Sequence, residues 1–171
     1  MWDYTWWSTV GDMKEVIAAA IEFERFGAEY YMRFHDLVNG KEAKSLMKSL
    51  ASDESEHAAI LSRELQVLGG SHKKSSKEEV EKGLAEIFPN DTREGDLGIK
   101  DAVSAIKLGM KTEERSIEFY SRNASIAAVG LKDIFLKLES MEREHLRILQ
   151  ENLEQLENSG AWYGYVPILE G

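Results

Sequence analysis

One arrangement of residues occurs twice in this chain. A lone glutamate, Glu24, precedes Glu54-x-x-His57, and a second lone glutamate, Glu113, precedes Glu142-x-x-His145. Corresponding members of the two sets are 88 or 89 positions apart. All six fall where the hydrophobic pattern calls for core. Four carboxylates and two imidazoles buried in one interior are strongly destabilising unless something cationic sits among them. A pair of metal ions is the simplest such partner. The chain must therefore bring four separate segments to one level of one core.

Four segments have the period to do so, with apolar residues recurring in steps of three and four. The first places Ile17, Ile21, Glu24, Ala28, Tyr31, His35 and Val38 on one face and stops at Asn39-Gly40. The second places Ala43, Met47, Leu50, Glu54, His57, Leu61, Leu65 and Leu68 together and stops at Gly69-Gly70. The third runs through Ile106, Met110, Glu113, Ile117, Tyr120, Ala124 and Ala127 and stops near Gly130. The fourth runs through Leu131, Phe135, Leu138, Glu142, His145, Leu149, Leu153 and Leu156.

The second and fourth segments share one order of steps, so the chain reads as a duplicated helical hairpin. The expected fold is all-α: a single domain over 1–171, with helices at about 12–39, 41–68, 99–129 and 131–157. Short turns at Asn39-Gly40 and Val129-Gly130 make each pair antiparallel. The Gly-, Ser- and Lys-rich stretch 69–98 is long enough to cross from one end of the bundle to the other. Ser76-x-x-Glu79 reads as a capping box opening a short helix at about 77–88 within it. Glu24 and Glu54 each lie about 15 residues from the first turn, roughly 22 Å along the bundle at ~1.5 Å per residue, so they share a level.

Composition removes several alternatives. A net charge of −10 disfavours nucleic acid and anionic membrane surfaces as partners. The absence of cysteine excludes disulfides, iron–sulfur clusters and thiol catalysis. No run approaches the ~18 apolar residues of a membrane span. Met1-Trp2-Asp3-Tyr4 lacks the basic start of a signal peptide. A cytoplasmic protein is expected.

Glu-x-x-His puts two ligands on one helix face a turn apart. Carboxylate with neutral imidazole suits first-row divalent metals such as iron or manganese. Four carboxylates balance two divalent ions, with the histidines neutral. A single Glu-x-x-His in a Glu-rich helix carries little weight. Two in register, each behind a core glutamate with a tyrosine seven residues on, carry much more. Tyr31 and Tyr120 are candidates to hydrogen-bond ligand carboxylates, against the plainer alternative of ordinary core tyrosines. Asp53 is placed to hold the ring N–H of His145 across the bundle. Its counterpart is Met141, so the two metal positions are expected to be inequivalent.

On these residues the chain resembles the rubrerythrin-like branch of the ferritin-like superfamily. The likeness lies in Glu24-Arg-Phe-Gly-Ala-Glu-Tyr-Tyr31 with Asp53-Glu54-Ser-Glu-His57, and in Glu113-Glu-Arg-Ser-Ile-Glu-Phe-Tyr120 with Glu142-Arg-Glu-His145. It covers about 12–68 and 99–157. The resemblance implies a ferritin-like bundle and two iron ions per chain, with manganese as the other candidate. It also implies a homodimer and an oxidoreductase that reduces hydrogen peroxide or reacts with dioxygen. The chain departs from rubrerythrins in lacking their four-cysteine iron domain, so electrons must come from a separate donor protein. It also has Ser116, and at the repeat position Gly27, where a further ligand glutamate would stand. Ferritin-like iron oxidation and storage is the alternative, as is a structural bundle with a vestigial site.

The other polar residues receive plainer readings. Glu56 and Glu144 face outwards or between helices. His35 packs in the core, and His72 is solvated in the crossover. The aromatic tails at 1–9 and 158–171 pack on the bundle or form a dimer interface.

Overall fold

The structure is a computed structural model that describes residues 13–72 and 99–164. Helices α1 (Met13–Leu37) and α2 (Lys41–Val67) form one hairpin; α3 (Ile99–Ile126) and α4 (Val129–Ser159) form the other. Both prolines of the sequence lie outside these helices, so no backbone N–H is missing from their ladders. Each helix buries one apolar stripe against its hairpin partner. The crossover helix expected at 77–88 and the residues of the 1–9 tail lie outside the described residues.

The helix ends are set by backbone chemistry. Gly40 takes φ 95° between α1 and α2, a conformation that side chains resist. At the end of α2 the amide of Gly70 donates to the Leu65 carbonyl (2.8 Å) and that of Gly69 to the Gln66 carbonyl (2.9 Å). This is a Schellman closure, with Gly69 at φ 70°. Leu68 therefore sits in the cap and is 41% exposed rather than in the core. The second turn also differs from expectation. It is Ala127–Ala128, because Ala128 is extended and caps α4, leaving Gly130 inside the first turn of that helix.

Two apolar clusters fill the interior. One joins Tyr31, Phe34, Leu46, Leu50, Ile106 and Leu149; the other joins Ile17, Ile21, Leu61, Leu65, Tyr120 and Phe135. The second cluster gathers the start of α1, the end of α2, the end of α3 and the start of α4. So α2 and α3 run parallel, and the end of α2 and the start of α3 lie at opposite ends of the bundle, roughly 40 Å apart along its axis for helices of this length. Close backbone packing lies within each hairpin, and only sparse close approach joins one hairpin to the other. Side chains bridge the difference: the Tyr30 hydroxyl donates to the Ala105 carbonyl at 2.7 Å.

His35 is not a core residue. It is partly exposed and pairs with Asp36 at 2.9 Å, and Phe34 takes the buried place beside it. The stripe of α1 runs through Gly27 and Phe34 rather than Ala28 and His35, because an apolar face is wider than one line of residues. His72 is likewise anchored rather than solvated. Its Nε2 stands 2.9 Å from Glu22 Oε1, and Arg25 approaches its other nitrogen.

The C-terminal tail packs on the bundle as far as it is described. Trp162 lies against Phe34 with ring centroids 6.1 Å apart. Asn152, fully buried in α4, accepts the amides of Tyr163 (3.1 Å) and Gly164 (2.8 Å) and donates to the Gly164 carbonyl (3.0 Å).

Candidate metal centre

The polar layer lies between the two apolar clusters. Glu24, Glu54, His57, Glu113, Glu142 and His145 are all at most 3% exposed. They converge because each helix places its ligand positions on the buried stripe at one level. The side chains divide into two overlapping sets, Glu24, Glu54, His57, Glu142 and Glu54, Glu113, Glu142, His145. In each set one donor atom per residue lies within 4.8 Å of all the others.

Glu54 and Glu142 belong to both sets, and their atoms show why. Glu54 Oε2 is 3.5 Å from His57 Nδ1, and its Oε1 is 3.2 Å from His145 Nδ1. Glu142 Oε1 is 2.8 Å from His57 Nδ1, and its Oε2 is 3.3 Å from His145 Nδ1. Each of these carboxylates thus offers one oxygen to each side, the geometry of a bridge. Glu24 Oε2 stands only on the His57 side (3.4 Å), and Glu113 Oε2 only on the His145 side (3.9 Å). The imidazoles stack with centroids 5.4 Å apart.

The remaining oxygens of the lone glutamates are held across the hairpins. Tyr31 donates to Glu113 Oε1 and Tyr120 donates to Glu24 Oε1, both in short hydrogen bonds. Burial, then the neighbouring carboxylates, pushes both phenols far above their ordinary range, so they remain donors. Asp53 Oδ2 lies 3.5 Å from His145 Nε2, its side chain 30% exposed. Nε2 of His57 has no hydrogen-bond partner. Glu56 is exposed, and Glu144 faces outwards to Arg147 at 2.6 Å.

A pair of cations fits this layer. Glu24 Oε2, both Glu142 oxygens, His57 Nδ1 and His145 Nδ1 are buried with no hydrogen bond. Unpaired atoms of this kind are costly in a protein interior, and here they all point into the two ligand sets. Without metal, protons do part of the balancing. Burial, then the charges of neighbouring glutamates, holds Glu24 and Glu113 well above the carboxylate range. Burial pushes Glu54 and Glu142 up too, but Glu24 and then both histidines hold Glu54 low, and both histidines hold Glu142 low against burial and the Glu54 charge. Burial pushes His57 down, but Glu142, Glu24 and Glu54 raise it to about 12. His145 is likewise raised, by Asp53, Glu142 and Glu54 against burial.

The sequence profile of the rubrerythrin family matches residues 15–156. The chain belongs to the rubrerythrin family. Its fold is the ferritin-like four-helix bundle, also seen in a dodecameric thioferritin, a bacterioferritin-related protein from Bacteroides fragilis. That structure has 18% identity and a TM-score of 0.67, over 86% of this chain and 87% of that one. A hypothetical protein from Pyrococcus furiosus has 22% identity and a TM-score of 0.63, over 86% of this chain and 92% of that one. No curated protein matches the sequence. Among the described residues no helix is long and apolar enough to cross a membrane.

Three further residues of this rubrerythrin-family chain shape the layer or its surroundings without being charged. A Cβ at Gly27 would come within 3.3 Å of Glu54 Cγ, so the glycine lets α1 lie close to Glu54. Asn123 and Asn152 are buried polar residues on otherwise apolar stripes. Asparagine at such a position was the available clue to the tail contact.

Proposed function

We propose that this protein is a non-haem dinuclear iron protein, with manganese as the other candidate metal. In this reading it reduces hydrogen peroxide, or reacts with dioxygen, using electrons from a separate donor protein. The observation that carries the reading is the pair of buried carboxylates, Glu54 and Glu142, each with one oxygen on either side of the layer.

Two ferrous ions bound there would supply Lewis acidity and two electrons. Reduction of one peroxide takes those electrons and two protons and yields two waters. Glu24 and His57 would hold one ion from its own side, and Glu113 and His145 the other. Tyr31 and Tyr120 keep Glu113 and Glu24 in a fixed orientation through the oxygen that each phenol holds. The two apolar clusters exclude bulk water from either end of the layer. Asp53 orients His145 alone.

The homodimer expected from the resemblance bears on a second reading, iron oxidation and storage. The Bacteroides fragilis neighbour is a dodecamer, and storage needs a closed shell of subunits. A dimer on a sizing column argues against storage; a shell argues for it.

The deciding experiment is elemental analysis of protein purified without oxygen, followed by peroxide consumption with a chemical reductant. About two irons per chain, lost in the Glu54→Ala/Glu142→Ala variant, together with turnover, support the proposal. Metal-free protein that stays so after reconstitution leaves only a structural bundle.

A further inference from the structure

We propose that a neutral ligand of one or two heavy atoms reaches the centre through a cavity between α1 and α3. There it meets the Glu113/His145 position before its twin. The inference rests on the dinuclear reading above and adds the side from which the small ligand approaches.

The cavity is largely enclosed, with about 10 Å³ open to the centre of a water-sized molecule, near the least that holds one water. Phe23, Phe26 and Gly27 border it from α1, and Thr112 and Ser116 from α3. Glu54 and Glu113 also border it, as does Tyr31, the donor to Glu113. Glu24, Glu142, Tyr120 and both histidines do not. The space therefore touches Glu54, which belongs to both sets, and Glu113, which belongs only to the His145 set; Glu113 decides the side.

Residue size makes the space. Gly27 and Ser116 occupy duplicated positions, and both are small. Ser116 is only 2% exposed, so a longer side chain there has nowhere to go but inwards. Phenylalanine walls disfavour an ion, because a desolvated charge without a partner is costly. The dimensions exclude an organic substrate. Dioxygen and hydrogen peroxide fit both limits, and Gly27 and Ser116 act as specificity-determining residues through their size.

Nitric oxide, a neutral diatomic, is the probe. It is mixed without oxygen with the iron-loaded protein, and binding is followed by absorption in a stopped-flow instrument. One nitric oxide per chain is expected in the first phase. Ser116→Leu, with iron content unchanged, is expected to slow that phase at least ten-fold, and Ser116→Ala to leave it alone. Asn123→Leu, the same leucine placed at another buried polar position on α3 away from the cavity, is also expected to leave it alone. Should Ser116→Leu fail to load iron, Thr112→Leu fills the same space from the next turn. Wild-type rates in a loaded, cavity-filled variant would overturn the inference and leave the dinuclear reading intact. Equal slowing by Asn123→Leu, or two nitric oxides bound at one rate, would overturn it as well. A wild-type protein that binds no iron would remove the reading beneath it.

Discussion

The two hairpins are copies in what they contribute to the polar layer and differ in what surrounds it. Glu24, Glu54 and His57 of α1 and α2 match Glu113, Glu142 and His145 of α3 and α4, and each hairpin supplies the tyrosine that holds the other's lone glutamate. Around these residues the copies part. Asp53 faces His145, whereas Met141 stands at the matching place and His57 Nε2 has no partner. Phe23 and Phe26 of the first hairpin correspond to Thr112 and Arg115 of the second, and the cavity that the two phenylalanines border is lined by Glu113 but not by Glu24. In the proposed reading the matched residues would hold two ions, and the unmatched ones would make the two positions differ.

The largest test of the comparison separates bridging from lone carboxylates. Glu142→Ala is expected to abolish binding of both ions, and Glu24→Ala to cost only the ion on the His57 side. Metal content per chain by mass spectrometry checks this, with circular dichroism to confirm the helices. Equal losses from the two variants would mean that Glu142 does not bridge.

Proton release comes next. Glu24, Glu113, His57 and His145 all have raised pKa values in the metal-free protein, so each is biased towards keeping its protons. Loading has to expel them, so affinity falls as pH falls. Between pH 8 and pH 6 the pair of ions is expected to bind at least about 100-fold more weakly. Calorimetry in buffers of different ionisation enthalpy should detect the protons released on loading, at least about one per chain from His57. A count near zero would mean that the layer is already deprotonated.

Smaller effects probe the asymmetry directly. Tyr31→Phe and Tyr120→Phe each remove a hydrogen bond to a buried carboxylate, and each is expected to weaken one ion about 10- to 100-fold. Asp53→Asn is expected to weaken the His145-side ion by about ten-fold, the low end because Asp53 is partly exposed, and Met141→Leu to change nothing. Competitive chelator titration reads all four; equal effects of Asp53→Asn and Met141→Leu would erase the inequivalence.

The smallest effect concerns the turns. Gly130 lies in the first turn of α4 with open space where a Cβ would be, and Glu42 holds the matching place in α2. Gly130→Ala should stabilise by about 0.5–1 kcal/mol, which thermal melting would register as a rise of about 1–4 °C. A lower melting temperature would show that Gly130 is needed as glycine.

The architecture and the polar layer were legible because they follow from period. A charged residue on an apolar stripe, repeated in register, leaves little freedom of interpretation. What escaped follows from contacts remote in sequence or from backbone closure. Leu68 continues the apolar pattern of α2, but the Gly69–Gly70 closure ends the helix before it. Gly130 looks like a stop but lies in a helix start, because the bend is made by extended Ala128. His72 sits in a polar stretch and is fixed by Glu22, fifty residues earlier. The cavity depends on residues that are small or apolar for no reason visible along the chain. The crossover helix and the N-terminal aromatics lie outside the described residues.

The hairpins are closely packed within themselves and sparsely to each other, while the six polar residues span the divide. Loading such a layer acts as a cross-link. Metal-free protein is expected to open along the seam between the hairpins, exposing apolar surface to proteases, and loaded protein to stay shut. The lifetime of the molecule would then follow the supply of metal, and an iron-poor cell would hold less of this protein without any change in its synthesis.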